Sequence, residues 1–307
     1  MALSRDTDIV KAVLRTPRTA RMIFLASSVF ELPYTNFTQV KTDLRRLTED
    51  GVLGRVEVPG EKSGRNEFLY YVKSGAKRLL PELKVFKAGS AMFRLPGTSP
   101  HSLYTAEFLS HFEQSAGAHR ERVEILETIR DGRFSAKVEL TTAEENRVAR
   151  LIPDLTVLAE IDGKLNLFFL ELQNHVRSIE AVTADSISKT FREKLMKYKA
   201  FQREFRSHSF IHDAEAIYGC RIPGFRVLIV TTKSEMNRNR LLSCARAMGY
   251  GEMFHFATLD EVRQSNVLTD PMWSLTTFGE NRKVALMDSS RHNCYHSKTS
   301  SDSAASA

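Results

Sequence analysis

The sequence predicts an α+β protein with two folded parts: a small N-terminal domain of helices and a β-hairpin, and a larger α/β domain behind it. One observation is the order of elements, because helical and strand-like apolar spacing follows a different order on each side of a stretch rich in Pro and Gly. The other is the basic excess, since residues 1–90 hold 16 Lys and Arg against 10 Asp and Glu, whereas residues 91–307 hold 28 against 27. The predicted organisation is a first domain at 1–85, a linker at 86–100, a second domain at 101–280 and a disordered tail at 281–307.

Composition excludes several classes of protein. Hydrophobic residues make up 42% of the 307 residues, which is enough for packed cores. No apolar run approaches the roughly 20 residues of a membrane span, and the start MALSRDTDIV lacks the apolar segment of a signal peptide. Three scattered cysteines are too few for a disulfide scaffold or a Cys-only zinc site. We therefore expect a cytoplasmic protein with no membrane partner.

Apolar spacing places three helices and a hairpin in the first domain. The third helix has Val40, Leu44 and Leu47 on one face, either Thr35 or Asn36 as its N-cap, and Gly51 where its C-cap would lie. A polar, turn-rich loop at 59–66 separates the two strands. The predicted elements are helices at 6–14, 18–29, 36–47 and 75–83, and strands at 53–58 and 67–72.

Three helices followed by a hairpin with a basic tip is the order of a winged helix-turn-helix domain. The segment TDLRRLTEDGVLGRVEV resembles the third helix and first wing strand of many bacterial winged-helix regulators. Such a helix fits the major groove of double-stranded DNA, and the wing reaches the DNA backbone. Two alternatives stay open: winged helices also dock proteins, and Arg45 or Arg46 could simply solvate the helix. The candidate DNA contacts are Gln39, Lys41, Thr42, Arg45 and Arg46 on the helix, and Lys62 and Arg65 on the wing.

In the second domain, an amphipathic helix precedes a series of strands. Asp162-Gly163 is a strong hairpin turn signal between two of the strands. The last element we expect to pack is Trp273, as a C-terminal anchor. The predicted elements are helices at 103–116, 191–205, 235–248 and 259–264, and strands at 123–129, 134–140, 150–161, 165–173, 225–231 and 252–258.

The hairpin around Asp162-Gly163 brings two acids together. If Ile161 pairs with Lys164, Asp154 lies opposite Glu171, with Cβ atoms ~5 Å apart. Strand alternation puts Gln173 on the same face as Glu171. Two adjacent carboxylates repel unless something neutralises them, and a divalent cation such as Mg²⁺ or Mn²⁺ is the usual solution. The alternative is a hairpin end that faces solvent.

Pro153-Asp154, followed 16 residues later by Glu171-Leu172-Gln173, resembles the motif of PD-(D/E)xK nucleases. This resemblance implies a restriction-endonuclease-like αβββαβ domain, in which Asp154 and Glu171 bind the metal and Gln173 positions the attacking water. The motif lysine is absent, because Gln173 stands in its place. Lys194 or Lys197 on the next helix could supply the missing ammonium group, or both could belong to a solvated helix face.

The whole layout resembles the replication-relaxation family of plasmid and mobile-element proteins over roughly residues 7–278. The carrying motifs are PDLTVL, FFLELQ, FREKLMKYKAF, FRVLIVTT and the late PMW. The resemblance implies a protein associated with the nucleoid or a plasmid that binds DNA and nicks or cleaves it. Replication or mobilisation proteins and a second copy of the chain are the candidate partners. A non-catalytic regulator of plasmid replication or transfer, and a protein-docking adaptor, are the alternatives.

Overall fold

The structure, a computed structural model, describes residues 4–59, 66–79, 98–130, 134–141, 146–173, 184–276 and 283–287. These residues form a mixed α+β protein, and none of their helices is long and apolar enough to cross a membrane. The helices are α1 (Ser4–Arg15), α2 (Ala20–Ala26), α3 (Phe37–Glu49), α4 (Pro100–Gly117), α5 (Ala184–Glu204), α6 (Ser209–Tyr218), α7 (Glu235–Ala247) and α8 (Leu259–Gln264). The strands are β1 (Arg18–Thr19), β2 (Leu53–Pro59), β3 (Asn66–Val72), β4 (Val123–Arg130), β5 (Ala136–Thr141), β6 (Asn146–Leu151), β7 (Leu155–Ile161), β8 (Lys164–Gln173), β9 (Phe225–Thr231), β10 (Phe254–Thr258), β11 (Trp273–Leu275) and β12 (Lys283–Val284).

The third helix of the N-terminal part forms as its sequence predicts. Asn36, and not Thr35, is the N-cap of α3, because its side-chain oxygen accepts a 2.8 Å hydrogen bond from the Thr38 amide. Gly51 follows the helix with a φ of +70°, a conformation that favours glycine. The predicted apolar stripe is fully buried against α1, α2 and the hairpin β2–β3, and it consists of Val40, Leu44 and Leu47.

The second helix differs from its prediction. The sequence predicts one helix over 18–29, but Arg18 and Thr19 are extended and pair with Tyr70 and Leu69 of β3. The Thr19 side chain then caps α2, and a 3₁₀ turn at Ser27–Val29 ends it. The added strand gives a three-stranded sheet in the order β1-β3-β2. Of the last predicted helix, only a 3₁₀ turn at Ser74–Arg78 lies within the described residues.

A seven-stranded mixed sheet in the order β12-β11-β10-β9-β8-β7-β4 forms the centre of the second part. Strands β4, β7 and β8 are antiparallel neighbours, β8, β9 and β10 run parallel, and β11 and β12 are antiparallel. The predicted register is confirmed, because Ile161 pairs with Lys164 across the two-residue turn. The ladder between β7 and β8 therefore reaches Leu155 and Leu170, one step before Asp154 and Glu171.

The predicted strands at 134–140 and 150–161 do not join this sheet as continuous elements. Strands β5 and β6 pair only with each other, as a separate two-stranded ribbon whose buried face packs on α5. Strand β6 ends at Leu151 and β7 starts at Leu155, because Pro153 between them has no N–H to donate to a ladder. Residues 131–133, between β4 and β5, lie outside the described residues.

Helices cover both faces of the large sheet. Helices α5, α6 and α7 pack on one face around Phe169, Val227 and Phe254. Helices α4 and α8 pack on the other face around Phe168 and Leu228. Both faces of the central strands are therefore apolar, which explains the near-continuous hydrophobic runs FFL and VLIV in the sequence.

The folded chain extends further toward the C-terminus than predicted. Trp273 is fully buried in β11, and its indole N–H donates to the Val267 carbonyl over 2.9 Å. Lys283 and Val284 pair with this strand, and Leu286 is fully buried. Residues 283–287, which fall within the predicted disordered tail at 281–307, therefore belong to the fold. The rest of that tail lies outside the described residues.

A buried ion pair joins the N-terminal part to α4 of the second part. The Arg18 and Glu113 side chains are both 0% exposed, and Arg18 Nη2 lies 3.0 Å from Glu113 Oε1. Arg18 also donates to the Ala12 carbonyl and the Ser110 hydroxyl. Ser28 donates to the Glu113 carbonyl from the same side. The two parts are thus packed against each other, although most of the predicted linker at 86–100 lies outside the described residues.

We expect Glu113→Ala to lower the free energy of unfolding by about 3–5 kcal/mol, because the change leaves the Arg18 guanidinium buried without its counter-charge. Urea denaturation measures this loss, and Glu121→Ala, which removes an exposed acid, is the control. A loss below about 1 kcal/mol for Glu113→Ala would contradict the assigned ion pair.

A second expectation concerns acid stability. His255 is 1% exposed, and burial together with the nearby Arg226 charge lowers its pKa to about 3. In the unfolded chain the His255 ring becomes protonated near pH 6.5, but in the folded chain it stays neutral at that pH. Its contribution to the free energy of unfolding is therefore complete above pH 6.5 and is lost as the pH falls toward 3. His255→Leu should reduce the pH slope of the unfolding free energy by up to ~1.4 kcal/mol per pH unit in this window. The exposed His212→Leu serves as the control, and equal slopes for wild type and His255→Leu would refute the assignment.

Candidate active site and nucleic-acid interface

Asp154 and Glu171 lie where β7 begins and β8 ends. The Asp154 amide donates to the Leu170 carbonyl over 3.1 Å, and its Oδ2 accepts from the Leu172 amide over 2.7 Å. The Asp154 carboxylate thus continues the ladder beyond the last backbone pair. This contact fixes Asp154 beside Glu171, as the register predicts.

Glu171 is held in the interior by two donors from α5. Its side chain is 1% exposed, Oε1 accepts a 2.6 Å hydrogen bond from the Tyr198 hydroxyl, and Oε2 accepts one from the Lys194 ammonium group. Lys194 and Tyr198 are four residues apart and therefore lie on the same helix face. The acid pair is not a solvent-facing hairpin end, so that alternative from the sequence is wrong.

Asp154 has a partner of its own in the first turn of α4. His101 Nε2 lies 3.0 Å from Asp154 Oδ1, and both side chains are partly exposed. This contact raises the pKa of His101, so the ring tends toward its charged form. Asp154 and Glu171 thus face one basic group each, from helices on opposite faces of the sheet.

Different surroundings separate the pKa values of the two acids. Burial raises the pKa of Glu171 to about 7, against the opposing charge of Lys194. Burial also disfavours the charged form of Asp154, but the His101 hydrogen bond and the Lys194 charge outweigh it and lower its pKa. Lys194 is desolvated too, yet the two carboxylates raise its pKa. The site therefore contains one ionised acid and one acid that can exchange a proton near neutral pH.

The other predicted site residues, Gln173, Lys194 and Lys197, differ in what their side chains contact. Gln173 is half-buried on the Glu171 face of β8, and its side-chain amide makes no hydrogen bond within the described part of the chain. Of the two candidate lysines, only Lys194 contacts an acid of the site. Lys197 instead pairs with Glu193 over 3.0 Å.

The carboxylate oxygens of Asp154 and Glu171 suit a cation that keeps part of its water shell. Each carboxylate oxygen of Asp154 and Glu171 accepts one protein hydrogen bond, which leaves one acceptor position on each oxygen. Mg²⁺ and Mn²⁺ commonly bind one or two carboxylates and several waters. The described residues contain no group of three or more His, Cys, Asp or Glu that could form a closed metal cage. Two carboxylates match the number of carboxylate ligands that Mg²⁺ or Mn²⁺ commonly takes from a protein.

Four of the five helix residues predicted to contact DNA are exposed on α3. They are Gln39, Lys41, Thr42 and Arg45. The Lys41 ammonium lies 4.7 Å from the centre of the Phe37 ring, and Arg45 pairs with Glu49 over 2.9 Å. Both contacts are made at the surface, where such pairs are weak and exchange readily.

Arg46 lies on the side of α3 that faces α1, and its side chain is 41% exposed. Its guanidinium contacts Asp6 of α1 and also lies near Asp43 and Asp50. Surrounded by acids, it is a structural contact between α1 and α3. Lys62 and Arg65, the predicted wing contacts, lie outside the described residues.

Sequence reasoning missed three residues at these sites. Tyr198 carried a usable signal, because it follows Lys194 by one helical turn, but its spacing also fits an apolar stripe. His101 lies before any recognisable motif of the second domain, so no spacing identifies it as a site residue. Arg55 on β2 is exposed, stacks 4.3 Å from the centre of the Phe68 ring and lines one surface pocket with Arg45.

No protein-family model matches the chain, and no curated protein matches it. A solved structure with partial similarity is the crystal structure of protein VC1899 from Vibrio cholerae, at 12% identity and a TM-score of 0.25. The match covers 86% of this chain and 55% of that one, so the chain spans about half the length of that structure. The resemblance to the replication-relaxation family stays a prediction.

Proposed function

We propose that this chain is a DNA-binding protein whose second part cleaves or nicks DNA with the help of a divalent metal ion. The observation that carries the proposal is the convergence of Asp154, Glu171 and Lys194 at one end of the central sheet. The order of elements supports it: α4 precedes the antiparallel strands β4, β7 and β8, and α5 leads to the parallel strand β9. With the β5–β6 ribbon and α6 as additions, this order is compatible with the αβββαβ order that the PD-(D/E)xK resemblance implies.

Each residue has a distinct role in phosphodiester hydrolysis. Asp154 and Glu171 would hold Mg²⁺ or Mn²⁺, and the bound ion would supply a Lewis acid for the phosphate and a water molecule of lowered pKa. The side-chain amide of Gln173 would orient the attacking water by hydrogen bonding. The Lys194 ammonium neutralises negative charge on the phosphate, which is the role of the lysine that the motif lacks at position 173.

The N-terminal part would bind duplex DNA as a winged helix. Two observations support this proposal: the exposed face of α3, and the excess of Lys and Arg over Asp and Glu in the first 90 residues. Gln39 and Arg45 would read base edges in the major groove, whereas Lys41 would hold phosphate. A plasmid or mobile-element setting, with replication or mobilisation proteins as partners, is proposed from the family resemblance alone.

The second candidate is a DNA-binding regulator with an idle site. The observation in its favour is that all four carboxylate oxygens already accept a protein hydrogen bond, and that His101 and Lys194 supply the compensating positive charge. In this case the acids and bases form a structural ion-pair cluster that needs no metal. The two candidates differ in metal binding and in nicking.

Supercoiled plasmid incubated with Mg²⁺ or Mn²⁺ separates the candidates. We expect nicking by the wild-type chain, and its loss in Asp154→Ala and Glu171→Ala because each change removes a metal ligand. Lys194→Met should reduce the rate by about 100-fold or more, since it removes the charge that stabilises the transition state.

Lys197→Met is the matched control, because Lys197 lies on the same helix but pairs with Glu193. It should nick at the wild-type rate. Absence of nicking by the wild-type chain, or nicking that survives both acid substitutions, would favour the idle site.

A salt titration of DNA binding tests whether α3 contacts the DNA phosphates. Lys41→Ala combined with Arg45→Ala should lower the slope of log K against log salt by about 0.9, because Lys41 holds phosphate. The double variant should also discriminate less between DNA sequences, because Arg45 reads base edges. Arg46→Ala should leave the slope unchanged and reduce thermal stability, because its guanidinium serves acids of α1 and α3. An unchanged slope in the double variant would refute the assignment of α3 as the DNA-contacting helix.

A further inference from the structure

Among the described residues, Tyr198 is the one whose hydroxyl contacts the acid pair. Neither the sequence motif nor the roles proposed above explain this contact. Its side chain is 0% exposed, and its ring packs 5.7 Å from the Phe169 ring and 6.3 Å from the rings of Phe225 and Phe254, measured between ring centres. A phenylalanine would satisfy the same packing without burying a polar atom, whose desolvation costs free energy unless it is hydrogen-bonded. Within the described residues, the buried hydroxyl is compensated by one hydrogen bond, which it donates to Glu171 Oε1 over 2.6 Å.

The two donors on Glu171 differ in how firmly they are held. Lys194 reaches Oε2 through a flexible four-carbon chain, and its side chain is 31% exposed. Tyr198 reaches Oε1 from a ring fixed on three sides by aromatic neighbours. Burial raises the pKa of Tyr198 well above its ordinary value, so its hydroxyl stays protonated and remains a donor. Of the two contacts, only that of Lys194 can be exchanged without disturbing the core.

We propose that Tyr198 is a positioning residue whose hydroxyl keeps the Glu171 carboxylate in place to hold a divalent metal ion when the Lys194 ammonium turns to the substrate phosphate. The inference rests on the proposed function, since it assigns Glu171 to the metal. Without the Tyr198 hydroxyl, Glu171 would depend on Lys194 alone as its donor. The acid could then rotate away from the metal, or keep the lysine that the substrate requires.

The test is the affinity of the purified full chain for Mn²⁺, measured by calorimetry without DNA. Tyr198→Phe keeps the ring and removes only the hydroxyl. Loss of a hydrogen bond to a metal-ligating carboxylate typically weakens metal affinity by about 10- to 100-fold, and we expect a weakening in this range. Affinity for duplex DNA in the absence of metal should remain that of the wild type.

Tyr218→Phe is the matched control, because the Tyr218 hydroxyl also donates to a glutamate, Glu127, over 3.2 Å on a different part of the sheet. It should bind Mn²⁺ as tightly as the wild type. Wild-type Mn²⁺ affinity in Tyr198→Phe would overturn the inference, and so would a Tyr198→Phe chain that stays unfolded at every Mn²⁺ concentration, since the hydroxyl would then serve the fold. If the wild-type chain itself binds no Mn²⁺, or if Asp154→Ala and Glu171→Ala bind it unchanged, the proposed function fails first.

Discussion

The candidate site depends on the burial of one carboxylate, Glu171, at the end of a central strand. An ionised acid in an apolar interior is costly unless charge and hydrogen bonds compensate it. Helix α5 supplies both, with Lys194 and Tyr198 on consecutive turns, and burial still raises the pKa of Glu171 to about 7. Its position therefore constrains where α5 packs, which lysine reaches the candidate site and on which face of β8 that site lies.

Helix α4 links this site to the N-terminal part. His101 in its first turn contacts Asp154, and Glu113 three turns later holds Arg18 in a fully buried ion pair. The helix is therefore fixed at both ends by polar contacts that are costly to break. If α3 binds DNA as proposed, these contacts set the orientation in which the duplex meets the acid pair.

Local patterns were sufficient for most elements and for the acid pair. The stripe on α3, the Asp162-Gly163 turn and the apolar run of β9 each depend on neighbours in sequence, so spacing alone predicts them. The pairing of Arg18 with β3, the separate β5–β6 ribbon and the addition of β12 depend on contacts between distant segments. The same limit applies to the site: Asp154 and Glu171 follow from one hairpin, whereas His101 and Tyr198 reach them from helices whose docking no local pattern specifies.

The choice between Lys194 and Lys197 illustrates how packing decides a question that the sequence leaves open. Both lysines lie on α5, but Lys194 is four residues before the buried Tyr198, which places it on the face turned toward the sheet. Lys197 precedes Tyr198 by one residue and points to Glu193. The Lys194 ammonium thus contacts Glu171 on the strand face that also carries Gln173. Under the proposed function, the positive charge that Gln173 lacks would come from the helix that the buried acid holds in place.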